Sequence, residues 1–200
     1  RTMSSVRIEL PEVPGARPAE AQAPQPQSPP APLPLRGVAA HLALDALAAR
    51  YARLSGEAFH EAVCRHLVEA LELDWAFIGQ LAADGVRVEV RAGWKDGRAL
   101  RPSSYALAGS PCEGTILAGA CIHARDVSRR FPRDTVLVTE GIEAYAGMPL
   151  FDRDGEVLGL IVVLRRQPFD DEATVRMLLD IFDDRVAAEL LRERVERVLT

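Results

Sequence analysis

The sequence predicts an α+β fold, an α/β/α sandwich built on a central antiparallel sheet of five or six strands. Three observations carry this. The stretch from Ala144 to Arg166 reads as two strands joined by a hairpin, and its second half, Leu158 to Leu164, is an almost unbroken apolar run suited to burial on both faces. Trp75–Leu81 and Val86–Trp94 read as a second hairpin, turned at Asp84-Gly85. Helical patterns precede the first hairpin and follow the last, and they must cover at least one face of the sheet.

Two hundred residues leave room for one domain and an appendage, and 48% hydrophobic residues supply a sizeable core. A net charge of −5 argues against a general nucleic-acid binder. No run of 18 apolar residues occurs, so no membrane contact is expected of this segment. No basic-then-apolar leader is legible at its start. Cys64, Cys112 and Cys121 make an odd count without a disulfide framework, which suits a reducing cytoplasm.

Taken in order, Arg1-Thr2-Met3 resembles a vector scar, and Val6, Ile8 and Leu10 alternate as a short strand would. Residues 11–36 hold nine of the chain's 14 prolines. Proline fixes φ and donates no hydrogen bond, so residues 1–36 are expected to form an extended tail or linker. A PxxP-type ligand is the functional alternative there. The domain proper is expected over residues 37–190, with a long C-terminal helix over 170–200.

Leu44, Leu47, Tyr51 and Leu54 share one helical face. Ser55 is placed to cap a second helix, whose apolar side carries Phe59, Val63, Leu67 and Ala70. His66 borders that stripe and Cys64 falls off it. No second ligand stands at i+4 from His66, so no metal site is indicated.

In the first hairpin, Val86, Val88, Val90, Ala92 and Trp94 alternate with charged residues, which predicts one apolar face and one solvated face. Residues 97–143 hold no long regular element, the mark of a binding loop or lid. Within them Tyr105–Leu107 and Cys121–Ala124 suit short strands. Ser110, Asp126 and Asp134 suit caps of short helical pieces. In the last hairpin, Ala144, Ala146, Met148 and Leu150 alternate with Tyr145, Gly147 and Pro149, and Asp152–Gly155 supplies the turn.

Asp170-Asp171-Glu172 places acids at the positive end of the last helix. Leu178, Ile181, Phe182 and Ala188 are expected to pack on the sheet. Leu191, Val195 and Val198 continue the apolar spacing past the domain for about two heptads. Paired with Leu44, Leu47 and Tyr51, they suggest a parallel homodimer.

Tyr145-x-Gly147-x-Pro149-Leu150, then Gly159 with Ile161, Val162 and Val163, resembles the last two strands of a GAF domain. Upstream, Ser110-Pro111-Cys112-Glu113, Cys121-Ile122-His123 and Phe131-Pro132-Arg133-Asp134 follow the order of one GAF subgroup, found beside histidine kinases and diguanylate cyclases in bacterial sensors. The resemblance covers roughly residues 37–195. It implies a sensory module whose 97–143 stretch forms the wall of a ligand pocket. The pocket residues so implied are Trp75, Tyr105, Cys112, Cys121, His123, Arg125, Tyr145 and Met148. It also implies an output domain joined through the terminal helices.

No nucleotide loop, dinucleotide fingerprint, HExxH or GxSxG motif is present, so no enzyme activity is expected. Cys112, in the first turn of a short helix, has the setting that lowers a thiol pKa, and Cys121 follows nine residues on. A thiol-based redox sensor is therefore the alternative function. Free methionine sulfoxide reductases are GAF-fold enzymes with cysteines in this region, but Thr139-Glu140-Gly141-Ile142 does not reproduce their Ser-Glu-Ile stretch. A haem would need an axial ligand, and His123 is the one histidine of the region. Arg125, Arg129 and Arg130 form a cationic cluster that suits an anion or, more simply, solvent. The cofactor is left unknown.

Overall fold

The computed structural model describes residues 51–199. The proline-rich tail, the Val6–Leu10 pattern, Leu44 and Leu47 lie outside them. The elements run α1 (Gly56–Leu71), β1 (Trp75–Leu81), β2 (Arg87–Lys95), β3 (Arg98–Ala99), β4 (Ser103–Ala106), α2 (Pro111–Ala118), β5 (Cys121–His123), α3 (Val127–Arg130), α4 (Thr135–Thr139), β6 (Ala144–Phe151), β7 (Val157–Arg165) and α5 (Glu172–Leu199).

One antiparallel sheet has the order β3-β2-β1-β7-β6-β5, with β4 also on β2. Its seven strands exceed the expected five or six because the partner of β2 is broken in two. β3 pairs with Trp94 and Lys95, and β4 pairs further along, with Arg87 to Val90. The run Leu158–Leu164 lies in β7, between β1 and β6, where Ile161 and Val163 are fully buried. Burial on both faces explains its unbroken apolarity, each such side chain contributing about 1.5–3 kcal/mol.

The sheet separates two cores. Ala76, Ile78, Ala144, Ala146, Met148, Ile161 and Val163 face α1 and α5. Phe77, Val88, Val90, Tyr145, Leu160, Val162 and Leu164 face α2, α3 and α4. The expected single apolar face of β2 fails at a bulge. Ile78 pairs with Ala92 but Gly79 pairs with Val90, so Arg91 is the extra residue. The bulge turns Val88 and Val90 to one core and Trp94 to the other, while Val86 precedes the strand and is exposed.

Turn chemistry follows expectation. The Asp84 carboxylate accepts from the Val86 and Arg87 N–H groups, and that of Asp152 from Asp154 and Glu156. Gly155 holds φ at 82°, where a side chain would strain the turn. Asp134 caps α4 through Leu137 N–H, and Asp171 accepts from Thr174 N–H at the start of α5. Ser55 does not cap α1 with its side chain. Glu189 of α5, itself buried, accepts from Gly56 N–H instead.

The buried stripe of α1 is Phe59, His60, Val63, Cys64 and Leu67. Cys64 therefore belongs to the core, and Ala70 is exposed. On α5, Val175, Leu179, Phe182, Val186, Ala187 and Leu190 are buried and Ala188 faces out. Tyr51 packs edge-on against Phe182 and His66. Beyond Leu190 the helix changes character. Glu193 and Arg197 turn to the sheet, meeting Arg91, Glu89 and Gln80, while Val195 and Val198 are exposed. Leu191 still packs against the core.

Candidate functional site

A cavity of about 400 Å³ lies between the sheet and the 97–143 stretch. Its floor is Trp75 and Phe77 of β1, Val90 of β2, Tyr145 of β6, and Val162 and Leu164 of β7. β4, the start of α2 and the segment Arg133–Leu137 wall it in. Strand periodicity places the floor. Trp75 and Phe77 are two apart on one face of β1, and Val162 and Leu164 are two apart on β7. Phe77 stands 6.0 Å from Trp75 and 6.0 Å, edge-on, from Tyr105. The indole N–H of Trp75 is buried without an acceptor among the described residues.

Cys112 closes the deep end. Its sulfur accepts from the Tyr105 hydroxyl at 3.2 Å and the Tyr145 hydroxyl at 3.4 Å. Tyr145 also hydrogen-bonds Thr115 Oγ1 at 2.8 Å, and Thr115 meets Cys121 Sγ at 3.1 Å. The two thiols are thus joined through two hydroxyls. Burial pushes the Cys112 pKa up to about 11 against the opposing hydrogen bonds from the tyrosines. The helix start expected to lower it is outweighed by desolvation. Burial, reinforced by Cys112, also raises both tyrosine pKa values.

A charged clamp stands beside Trp75. The Arg166 guanidinium donates to Asp74 at 3.0 Å, Asp96 at 2.8 Å and Glu140 at 2.9 Å, and to the Glu140 carbonyl at 3.1 Å. Lys95 pairs with Glu140 and sits 4.5 Å from the centre of the Trp75 ring. Lys95 and then Arg166 hold the Glu140 carboxyl below its ordinary range, and Arg166 does the same to Asp96. The clamp ties the end of α4 to β1, β2 and β7.

Of the residues expected at a pocket, Trp75, Tyr105, Cys112 and Tyr145 line this cavity together. The other four do not. Met148 faces α1 and α5, because alternation along β6 puts it opposite Tyr145 and both faces are buried. Cys121 lies behind Cys112, half-buried against Thr115. His123 is half-buried, 5.3 Å from the Phe131 ring and 3.4 Å from Arg130, and burial with that guanidinium lowers its pKa. Arg125 is exposed. Arg129 is exposed and pairs with Asp126, so the basic cluster stands apart from the cavity.

Sequence reasoning missed Phe77, Arg133, Asp134 and Leu137. Phe77 was legible as the neighbour of Trp75 on one strand face, and Arg133-Asp134 lay within a stretch already singled out. Among the described residues no group of three His, Cys, Asp or Glu could hold a metal ion, and no helix is long and apolar enough to cross a membrane.

No curated protein matches the chain. Solved structures do, at low identity. The chromophore-binding domain of Stigmatella aurantiaca phytochrome P1 superposes with a TM-score of 0.61 at 17% identity, over 82% of this chain and 63% of that one. The GAF domain of an Acinetobacter phosphoenolpyruvate-protein phosphotransferase gives 0.62 at 16%, over 76% and 92%. The chromophore-binding domain of an R. palustris bacteriophytochrome gives 0.60 at 13%, over 76% and 61%. The chain thus spans less than two thirds of the phytochrome chains and nearly all of the isolated GAF domain. At these identities the likeness is one of fold. The GAF domain family model matches residues 56–190, two thirds of the sequence, along the sheet and helices described above. This chain belongs to the GAF domain family.

Proposed function

We propose that this GAF domain is a non-catalytic sensory module of a bacterial signalling protein. It takes a small organic ligand in the cavity over β1, β6 and β7 and passes the event through α5. The observation that supports this is the cavity itself: apolar and aromatic on its floor, polar at its wall, and of a size typical of ligand sites. Trp75, Phe77, Tyr105, Cys112 and Tyr145 hold the ligand, and Leu137 covers it. Cys121, His123, Arg125 and Met148 stand outside it.

The coupling route is the sheet. β6 and β7 carry cavity residues on one face and the residues under α5 on the other. The change in α5 beyond Leu190, with charges inward and valines outward, favours a parallel homodimer through that helix. On the subgroup resemblance, the output domain is a histidine kinase or diguanylate cyclase. The alternative, a thiol-based redox sensor or reductase using Cys112 and Cys121, has the hydroxyl-bridged thiols in its favour. The raised pKa of Cys112 opposes it, because the thiolate is the reactive form.

Native mass spectrometry of the purified chain tests the sensory reading. The expected result is a retained small molecule, absent from a Leu137→Trp variant that fills the cavity. A wild type with no adduct, whose melting temperature is unmoved by fractionated cell extract, would overturn it. Turnover of free methionine sulfoxide that vanishes in Cys112→Ser would establish the alternative.

A further inference from the structure

Two consecutive residues of the cavity wall carry opposite charges that no ion pair neutralises among the described residues. These are Arg133 and Asp134. The Asp134 carboxylate accepts from the Leu137 N–H at 3.3 Å, an N-cap bond, is helped by the Val136 N–H, and meets no cationic side chain among the described residues. It is half-buried, and desolvation raises its pKa. Its charge adds, as a minor cause beside their burial, to the raised pKa values of Tyr105 and Cys112. A half-buried carboxylate in that setting is stabilised by a cation supplied from outside. Arg133, exposed at the cavity's mouth, offers the complement, a planar fork of donors matched to a carboxylate.

The rest of the cavity is ring surface. Trp75 and Phe77 of the floor and Tyr105 of the wall stand at 6.0 Å steps. Both tyrosine hydroxyls point to Cys112, so the deep end offers few donors to a guest. A ligand for this cavity is therefore aromatic at one end and charged at the other.

We infer that the ligand is an aromatic α-amino acid, its ring against Trp75, Phe77 and Tyr105, its carboxylate on Arg133 and its ammonium on Asp134. This rests on the cavity being the ligand site. The amino acid carries both charges on one carbon, and adjacent residues present the opposite pair. An aryl carboxylate alone would satisfy Arg133 but set a second anion beside Asp134. An aryl amine would satisfy Asp134 but set a second cation beside Arg133.

Isothermal titration of the full chain with four probes decides it: L-phenylalanine, L-tryptophan, indole-3-propionate, which lacks the ammonium, and tryptamine, which lacks the carboxylate. At least one amino acid is expected to bind about tenfold or more tighter than either single-charge compound. Asp134→Asn keeps the cap acceptor, since Asn caps as well as Asp. It should weaken the amino acid about tenfold and leave indole-3-propionate no weaker. Arg133→Gln should weaken the amino acid similarly and leave tryptamine no weaker. Equal or tighter binding of a single-charge compound, or unchanged amino-acid binding in both variants, would overturn the inference. So would silence from all four probes. The cavity reading would then stand or fall separately, on the retained mass in native spectrometry.

Discussion

A methyl group placed on Gly147 would lie 2.3 Å from the Tyr145 hydroxyl and 2.4 Å from Thr115 Oγ1. The Tyr-x-Gly pair of β6 is thus one device, a tyrosine whose ring lies back over the glycine two residues on. The space left by the missing side chain lets Tyr145 reach both Thr115 and Cys112. Gly147→Ala is expected to push the ring off both partners and destabilise the domain by about 1–3 kcal/mol. Urea denaturation measures this, and a variant within a few tenths of wild type would show that the ring moves freely.

His60 gives the domain an acid-sensitive term. Its ring is fully buried, neither nitrogen has a hydrogen-bond partner among the described residues, and burial lowers its pKa from 6.5 to about 4. The charged groups around it are Glu57 on α1, Arg91 on β2, and Glu189, Arg192 and Glu193 on α5. Between those two pH values the unfolded chain binds the proton and the native state does not. Stability attributable to His60 is therefore complete above about pH 6.5 and lost as pH falls toward 4, on the order of 2–3 kcal/mol. Unfolding free energies at pH 7.5, 6 and 5 should show a slope that His60→Leu reduces. An unchanged slope would assign the acid sensitivity to carboxylates.

Arg166 holds the end of α4 against three strands. Its partners are 29% to 42% exposed, so each pair contributes up to about 1 kcal/mol. Arg166→Ala is expected to lower stability by about 1–2 kcal/mol and to speed amide exchange at Gly141 and Ile142, which follow the clamped Glu140. Faster exchange spread evenly over the chain would show a global rather than a local effect.

The proposed dimer is tested at Val195 and Val198, not at Leu191, which packs on the core. Wild type is expected to sediment as a dimer at about tens of micromolar, the range of an affinity near −7 kcal/mol. The Val195→Glu, Val198→Glu double variant should be monomeric with an unchanged melt. A monomeric wild type would leave the exposed valines to another partner.

Much of the fold was legible because period and turn chemistry agree. Asp152 and Gly155 set the last hairpin, Asp84 and Gly85 the first, and the apolar run of β7 announced an interior strand. What stayed hidden depended on contacts far apart in sequence. The bulge at Arg91 reverses the faces of β2, and nothing local in Val86–Trp94 marks it. Met148 sits on the far core because a strand buried on both sides gives no clue to which side holds a cavity. Cys112 resembled an activated thiol from its helix position alone, and only its burial reversed that. His60 was unreadable because its stripe is completed by α5, 129 residues and more along the chain at Glu189.

The broken partner of β2 limits how copies of this domain can meet. One border of the sheet is two residues of β3 and four of β4, separated by a segment that includes Pro102. The other border is β5, three residues long, followed by the uncovered end of β6, which Pro149 interrupts. Neither offers a second chain a straight row of amides long enough to extend the ladder. Among the described residues, growth of the sheet from molecule to molecule is disfavoured at both ends. The dimer proposed above, made through the helical layer, would leave the strands beneath the cavity undisturbed.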